Sequence, residues 1–169
     1  MRKSTRSLLI LAVVAIALGA AVYAELVRER GLAPQPVTQL DPASVTHLEI
    51  RCRSCTTRVF ARVGGVWWMK QPHDAKANPE AVARLLAVVQ APVRTRAKLA
   101  DYDAGKLGLD PPQMTVTADA TRIDIGGEDP IDHDRYVRIG NELLRVPDRF
   151  SARLLESPES ELAHPDVGN

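Results

Sequence analysis

The sequence predicts an α+β domain: a mostly antiparallel sheet of short strands and hairpins with two packed helices, preceded by one N-terminal transmembrane helix. Three features lead there. Residues Leu8 to Ala24 form an uncharged apolar run. Several later runs alternate apolar and polar residues with the period of a half-buried strand, separated by Gly, Pro, Asn and Asp turn signals. One segment carries Val82, Leu85, Leu86 and Val89 at the i, i+3, i+4, i+7 spacing of a helix with one buried stripe.

At 169 residues the chain is long enough for one domain and a short appendage. With 45% hydrophobic and 25% charged residues it has the make-up of a folded protein, but only 4% are aromatic, so Val, Leu, Ile and Ala must build the core. A net charge of +1 points to no nucleic-acid partner, and no motif calls for a cofactor. Three of the 22 basic residues and none of the 21 acidic ones precede residue 25, which leaves residues 25–169 with 19 basic and 21 acidic residues.

Residues 1–7 (basic at Arg2, Lys3 and Arg6) are read as a cytoplasmic N-terminus and residues 8–24 as a membrane anchor or signal segment. A 17-residue helix is roughly 25 Å long against a hydrocarbon core of roughly 30 Å, a gap that snorkelling of Arg6 and Arg28 can close. Val22-Tyr23-Ala24 is also an acceptable signal-cleavage site. The apolar character running up to Glu25 favours an uncleaved anchor, and the absence of a nearby Cys excludes a lipoprotein. Either way the remainder crosses the cytoplasmic membrane, giving a single-pass protein with its C-terminal domain in the periplasm or extracellular space. Residues 25–36 are read as an extended linker, 37–156 as the domain and 157–169 as a frayed acidic tail.

The first strand is expected at Leu48, Ile50 and Cys52, alternating with His47, Glu49 and Arg51. A second run alternates Thr57, Val59, Ala61 and Val63 with Thr56, Arg58, Phe60 and Arg62. A hairpin with Arg53-Ser54 at its tip sets Cys52 against Cys55, Ile50 against Thr57, Leu48 against Val59 and Glu49 against Arg58. Arg-Ser suits a primed turn poorly, which allows for a wider loop. Cys52 and Cys55 have three readings: a structural disulfide, a thiol-redox pair and half of a zinc site. Thiol activation by a helix N-terminus is not offered by a strand-to-strand connection. Zinc lacks two further ligands, since His47 points to the opposite face, so the disulfide is favoured.

Gly64-Gly65 signals a hairpin leading into Val66 to Lys70, which ends before Gln71-Pro72. Trp67 and Trp68 in that strand form a possible ligand or packing surface, with packing favoured in so aromatic-poor a chain. Asn78 caps a helix with Pro79 at its first position, and Pro92 ends it. Arg94 to Lys98 carries three positive charges and reads as a solvated loop, or as a contact for an acidic partner. Tyr102 to Asp110 reads as a short helical turn closed by Gly108. Strands are expected at Met114–Thr117, Arg122–Ile125, Arg135–Ile139 and Leu143–Val146, with turns at Asp119-Ala120 and Gly140-Asn141, then a helix over Arg149 to Leu155.

The segment Glu128 to Asp134 gathers four acids and a histidine. Asp129, Asp132, His133 and Asp134 are weak candidates for a divalent cation, but no calcium-loop spacing is present and Pro130 marks a loop between strands. Gly126-Gly127 lacks the Lys-Ser/Thr of a phosphate loop, and the four histidines support no Ser-His-Asp arrangement.

The order of these elements resembles the bacterial envelope family known as domain of unknown function 4340. The likeness rests on Trp67-Trp68-Met69-Lys70-Gln71-Pro72, the helix from Asn78, Leu107-Gly108-Leu109-Asp110-Pro111, Ile125-Gly126 and Tyr136-Val137-Arg138. It spans roughly Val45 to Leu155, and Cys52 and Cys55 stand outside its pattern. The resemblance implies a membrane-anchored α+β domain with no established activity. It also implies an accessory role, since some relatives are associated with ABC-type transport or gliding systems. The expected function is therefore that of a non-enzymatic extracytoplasmic domain contacting an envelope protein such as a transport subunit. The alternatives are a thiol-redox protein using Cys52 and Cys55, and a small-ligand sensor using the Trp strand.

Overall fold

The computed structural model describes residues 15–24 and 34–163, in two compact units comprising residues 1–34 and 35–169. In the first, residues 15–24 are helical (α1) and exposed. Among the described residues no helix is long and apolar enough to cross a membrane, and residues 8–14 of the expected anchor lie outside them.

The second unit is built on one nine-stranded sheet. Its strands are β1 (His47–Cys52), β2 (Arg58–Val63), β3 (Val66–Gln71), β4 (Ala75–Lys76), β5 (Thr95–Lys98), β6 (Met114–Ala118), β7 (Thr121–Glu128), β8 (Asp134–Ile139) and β9 (Glu142–Pro147). They lie in the order β4-β3-β2-β1-β6-β7-β8-β9-β5, with every neighbouring pair antiparallel. Two meanders thus meet at the β1–β6 pair. Helices α2 (Pro79–Leu86) and α3 (Ser151–Leu154) complete the α+β class predicted from sequence.

α2 forms where its end signals coincide. Asn78 accepts hydrogen bonds from the Glu80 and Ala81 amides at 2.9 and 3.4 Å, Pro79 occupies the first turn, and Ala81, Val82, Leu85 and Leu86 are buried. From Ala87 the coil tightens into a 3-10 turn ending at Gln90, still burying Val88 and Val89. The core lies between these turns and the inner sheet face, where Leu48, Ile50, Phe60, Met69, Val116 and Ile123 are fully buried.

The β1–β2 register differs from the sequence expectation by one residue. Ile50 pairs with Arg58 and Leu48 with Phe60, not with Thr57 and Val59. Arg53-Ser54 does not form a two-residue turn; the connection runs on through Thr57. Because side chains alternate, a slip of one residue exchanges the faces of the strand. Phe60 therefore enters the core while Val59 and Ala61 turn outward. Arg58, expected on the solvent face opposite Glu49, becomes fully buried.

Arg58 is answered by the C-terminal segment. It donates to the backbone carbonyls of Leu154 and Glu156 and to the Glu161 carboxylate, itself 2% exposed. Residues 157–163, read from sequence as a frayed tail, are therefore packed structure. Pro158–Glu161 form a 3-10 turn, Asn78 donates to the Glu161 carbonyl at 2.8 Å, and Ala163 donates to that of Lys76 at 2.9 Å. The start of the unit is also earlier than the expected Val37, since the Val93 amide bonds the Gln35 carbonyl and Pro36 bridges Pro92.

Two further expectations change. Arg94–Lys98 is not a loop: Thr95–Lys98 is the edge strand β5, paired to β9, with Arg96 on Glu142 at 2.6 Å and Arg94 on Asp134 at 3.1 Å. Its polar residues carry no strand periodicity, so only the partner strand defines it. Tyr102 to Asp110 makes irregular turns instead of a helix, and they close onto β7. A Cβ on Gly126 would lie 2.4 Å from the Leu107 carbonyl oxygen, so that approach requires glycine.

Burial pushes the Glu161 carboxyl up to about 7 against the opposing charge of Arg58. The folded chain then holds a proton that the unfolded chain releases. The stability from this group is full below the ordinary value of 4.5 and is lost as pH rises through about 7. Urea unfolding across this range should show that decline, and Glu161→Gln should flatten it. Arg58→Met leaves Glu161 without its partner and should destabilise the fold most above about pH 7, where the group would be charged, by about 3–5 kcal/mol in the same assay.

Candidate functional site

The alternation that fills the core sends a second set of side chains to the face away from α2 and α3. Cross-strand pairing places Thr115, Asp124 and Arg138 in one row, and Tyr136 beside Arg145 in the next. Asp124, 4% exposed, accepts from Thr115 Oγ1 at 2.8 Å, Arg122 Nε at 2.9 Å and Arg138 Nη2 at 2.6 Å. Burial alone pushes its carboxyl up, and the hydrogen bonds from Arg138, Thr115 and Arg122 outweigh it, holding Asp124 below the usual carboxylate range.

Beside this row, three of the acids singled out from sequence converge on Arg145. Asp129 Oδ2 lies 3.2 Å from Arg145 Nε, Asp134 Oδ2 lies 3.2 Å from Nη2, and Asp132 bonds the same Nη2. The guanidinium occupies the point where the carboxylates meet. His133 turns away, with Nδ1 2.5 Å from Glu128 Oε1. Among the described residues no group of three or more His, Cys, Asp or Glu is placed to hold a metal. The Ile131 amide at 2.8 Å is the main influence holding Asp129 below its ordinary value, with the charge of Arg145 adding to it, and the bond to Asp132 pushes Arg145 upward.

This cluster walls a cavity of about 220 Å³ with Tyr102, Leu107, Tyr136 and Leu143. Tyr136 donates to Asp129 at 3.4 Å, and its hydroxyl is pushed up by burial and by that neighbouring charge. Among the described residues the buried Nε–H of Arg145 makes no hydrogen bond. An always-charged guanidinium, carboxylates engaged with arginines and two phenols make a set of donors and aromatic faces suited to holding a partner group. No nucleophile stands beside a base in this cluster.

The other candidates sit apart. Trp67 and Trp68 fall on opposite faces, as neighbours on a strand must. Trp67 is buried in the core under Arg62, whose guanidinium is 6.0 Å from the ring centre, while Trp68 is 36% exposed on the outer face with Lys70 Nζ at 5.4 Å. Cys52 and Cys55 are joined in a disulfide with Cα atoms 5.4 Å apart. It spans a sequence separation of three, so the loop-entropy model credits it with only about 2 kcal/mol. Next to it opens a cleft of about 310 Å³ lined by Cys52, Arg53, Ser54, Met114, Arg135 and Leu155.

Sequence reasoning missed Asp124, Arg138, Arg145, Tyr102 and Tyr136. Asp124 between Ile123 and Ile125, and Arg145 between Leu144 and Val146, are charges set between apolar strand neighbours, which places them on the face opposite the core. Which of them meet depends on cross-strand register and could not be read from one strand at a time.

The family model described as Domain of unknown function (DUF4340) matches residues 67–160. The match begins inside β3, so β1, β2 and the disulfide lie before it. No curated protein and no solved structure matches the chain.

With Arg138 removed, Asp124 loses a donor and its nearest positive charge, so burial should weigh more heavily on it. In Arg138→Met, carboxyl NMR titration should find Asp124 moved upward, with Thr115 and Arg122 still holding part of the lowering; an unmoved carboxyl would contradict the assignment.

Proposed function

The chain belongs to the DUF4340 family, and on that premise we propose that it is a membrane-anchored, extracytoplasmic accessory domain that binds another envelope protein. The observation that carries this reading is the outer face of the sheet. Exposed Trp68 and Tyr102 stand there, with a cleft walled by Tyr136 and Arg145. Aromatic residues and arginine are the side chains that dominate protein interfaces. The ion pairs of Asp124 and Arg145 hold that face rigid before a partner arrives, which lowers the ordering cost of binding.

The placement rests on the apolar run over residues 8–24 with its basic flank. The Cys52–Cys55 bond agrees with it, since disulfides persist in oxidising compartments. The resemblance to envelope proteins associated with ABC-type transport favours a transport subunit as the partner.

A photo-crosslinking residue at Trp68 or Tyr102, in intact membranes, should yield a discrete product with a second envelope protein. The same residue at Ala83, on the exposed side of α2, should yield at least severalfold less. Equal yields at the three positions, or products containing only this chain, would sink the reading. A reporter enzyme that works only in the cytosol should be inactive when fused after Asn169.

A further inference from the structure

The cleft beside the disulfide has no part in the outer-face reading, and four observations converge on it. The Cys52–Cys55 bond links no distant elements: its residues are three apart in sequence, and β1 is already held to β6 through the Cys52–Met114 pair. As a staple it has little to do. Second, the two sulfurs differ in placement. Cys52 packs against the core and lines the cleft, whereas Cys55 does not line it. Third, Met114 and Leu155 give the cleft apolar walls, and its volume of about 310 Å³ is at the small end of ligand sites. Fourth, Arg53 brings a positive charge without a carboxylate partner among the described residues; its guanidinium bonds the Pro111 carbonyl. Arg135 also lines the cleft, but its guanidinium is held by Asp148 at 2.5 Å, so the uncompensated charge there is that of Arg53.

We propose that Cys52–Cys55 is an exchange-active disulfide whose cleft receives a small anionic thiol of about tripeptide size. The ligand's thiolate attacks Cys52 Sγ from the cleft. A bond forms between the ligand sulfur and Cys52, the Cys52–Cys55 bond breaks, and Cys55 leaves as a thiolate that takes a proton from water. A second thiolate of the same ligand then attacks the ligand sulfur of this mixed disulfide and releases Cys52 as a thiolate. Two ligand thiols are oxidised to their disulfide by loss of two electrons, and the protein disulfide is reduced to a dithiol. The uncompensated positive charge of Arg53 favours both the arriving thiolate and the anion left on sulfur. The proposal goes beyond the accessory reading and stands or falls separately from it.

The test uses the full chain and glutathione. With reduced glutathione in excess and an acid quench, the wild-type protein should carry a glutathione adduct on Cys52 and none on Cys55. In Cys55→Ser, Cys52 should react with oxidised glutathione about tenfold faster than with the cationic disulfide cystamine, after correction for the rates of an unstructured cysteine peptide. Arg53→Ala should remove that preference and Arg53→Lys restore most of it. Cys52→Ser, which leaves Cys55, should react about tenfold more slowly than Cys55→Ser. Absence of the wild-type adduct, equal reactivity of the two cysteines, or no preference between the two disulfides would each overturn the proposal. The wild-type measurement does not depend on either variant folding.

Discussion

Arg58 is a full positive charge with no exposed surface, and much of the domain is arranged around satisfying it. An unpaired guanidinium in an apolar layer is prohibitively costly, and both terminal nitrogens of Arg58 find acceptors, while among the described residues its Nε has none. Leu154 and Glu156 offer carbonyls, and Glu161 offers a carboxylate. A buried pair of this kind adds little net stability compared with apolar residues of the same size, but it penalises alternatives heavily. Slipping β2 by one residue would send Arg58 outward and leave Glu161 alone in the core. Releasing the C-terminal strap would leave Arg58 alone. The same strap accepts the Asn78 amide on its Glu161 carbonyl, so the residue that caps α2 and the residue that answers β2 are bound through one short turn.

The two faces of the sheet divide the work. The inner face is apolar and packs against α2, its 3-10 extension and α3. The outer face is charged, yet it is not an ordinary solvated surface. Asp124, Asp129 and Asp134 are all nearly inaccessible and all held by arginine. Such pairing holds the Asp124 and Asp129 carboxyls below their ordinary range and fixes the positions of Arg138 and Arg145. It also explains why an acid-rich loop lacks the geometry of a cation site: Arg145, from the neighbouring strand, already supplies the positive charge.

The residues that carry the family likeness have a physical reason to occur together. Leu107-Gly108-Leu109 and Ile125-Gly126-Gly127 are well separated in sequence, yet the Gly127 amide donates to the Leu107 carbonyl at 2.7 Å. Gly108 has a φ of +68°, and Gly126 leaves room for Leu107 and Leu109 to lie on the strand backbone. Each motif is the surface on which the other rests. The disulfide takes no part in that contact, consistent with its position before the matched residues.

The amino-acid sequence by itself determined the α+β class, the two tight turns with φ above zero at Gly64-Gly65 and Gly140, the capped start of α2 and the existence of seven of the nine strands, six of them within a residue or two and β7 three residues short at its end. These depend on local chemistry: side-chain alternation, backbone freedom at glycine, and a cap that bonds its own helix. Tertiary structure alone decided that Arg58 faces the core, that residues 157–163 are packed, that Arg94–Lys98 contains a strand, and that Asp129, Asp132 and Asp134 share Arg145. Each of these joins groups from separate segments. A charged residue carries no local mark of whether its counter-ion is water or a side chain a hundred residues away, and only the folded register supplies the answer.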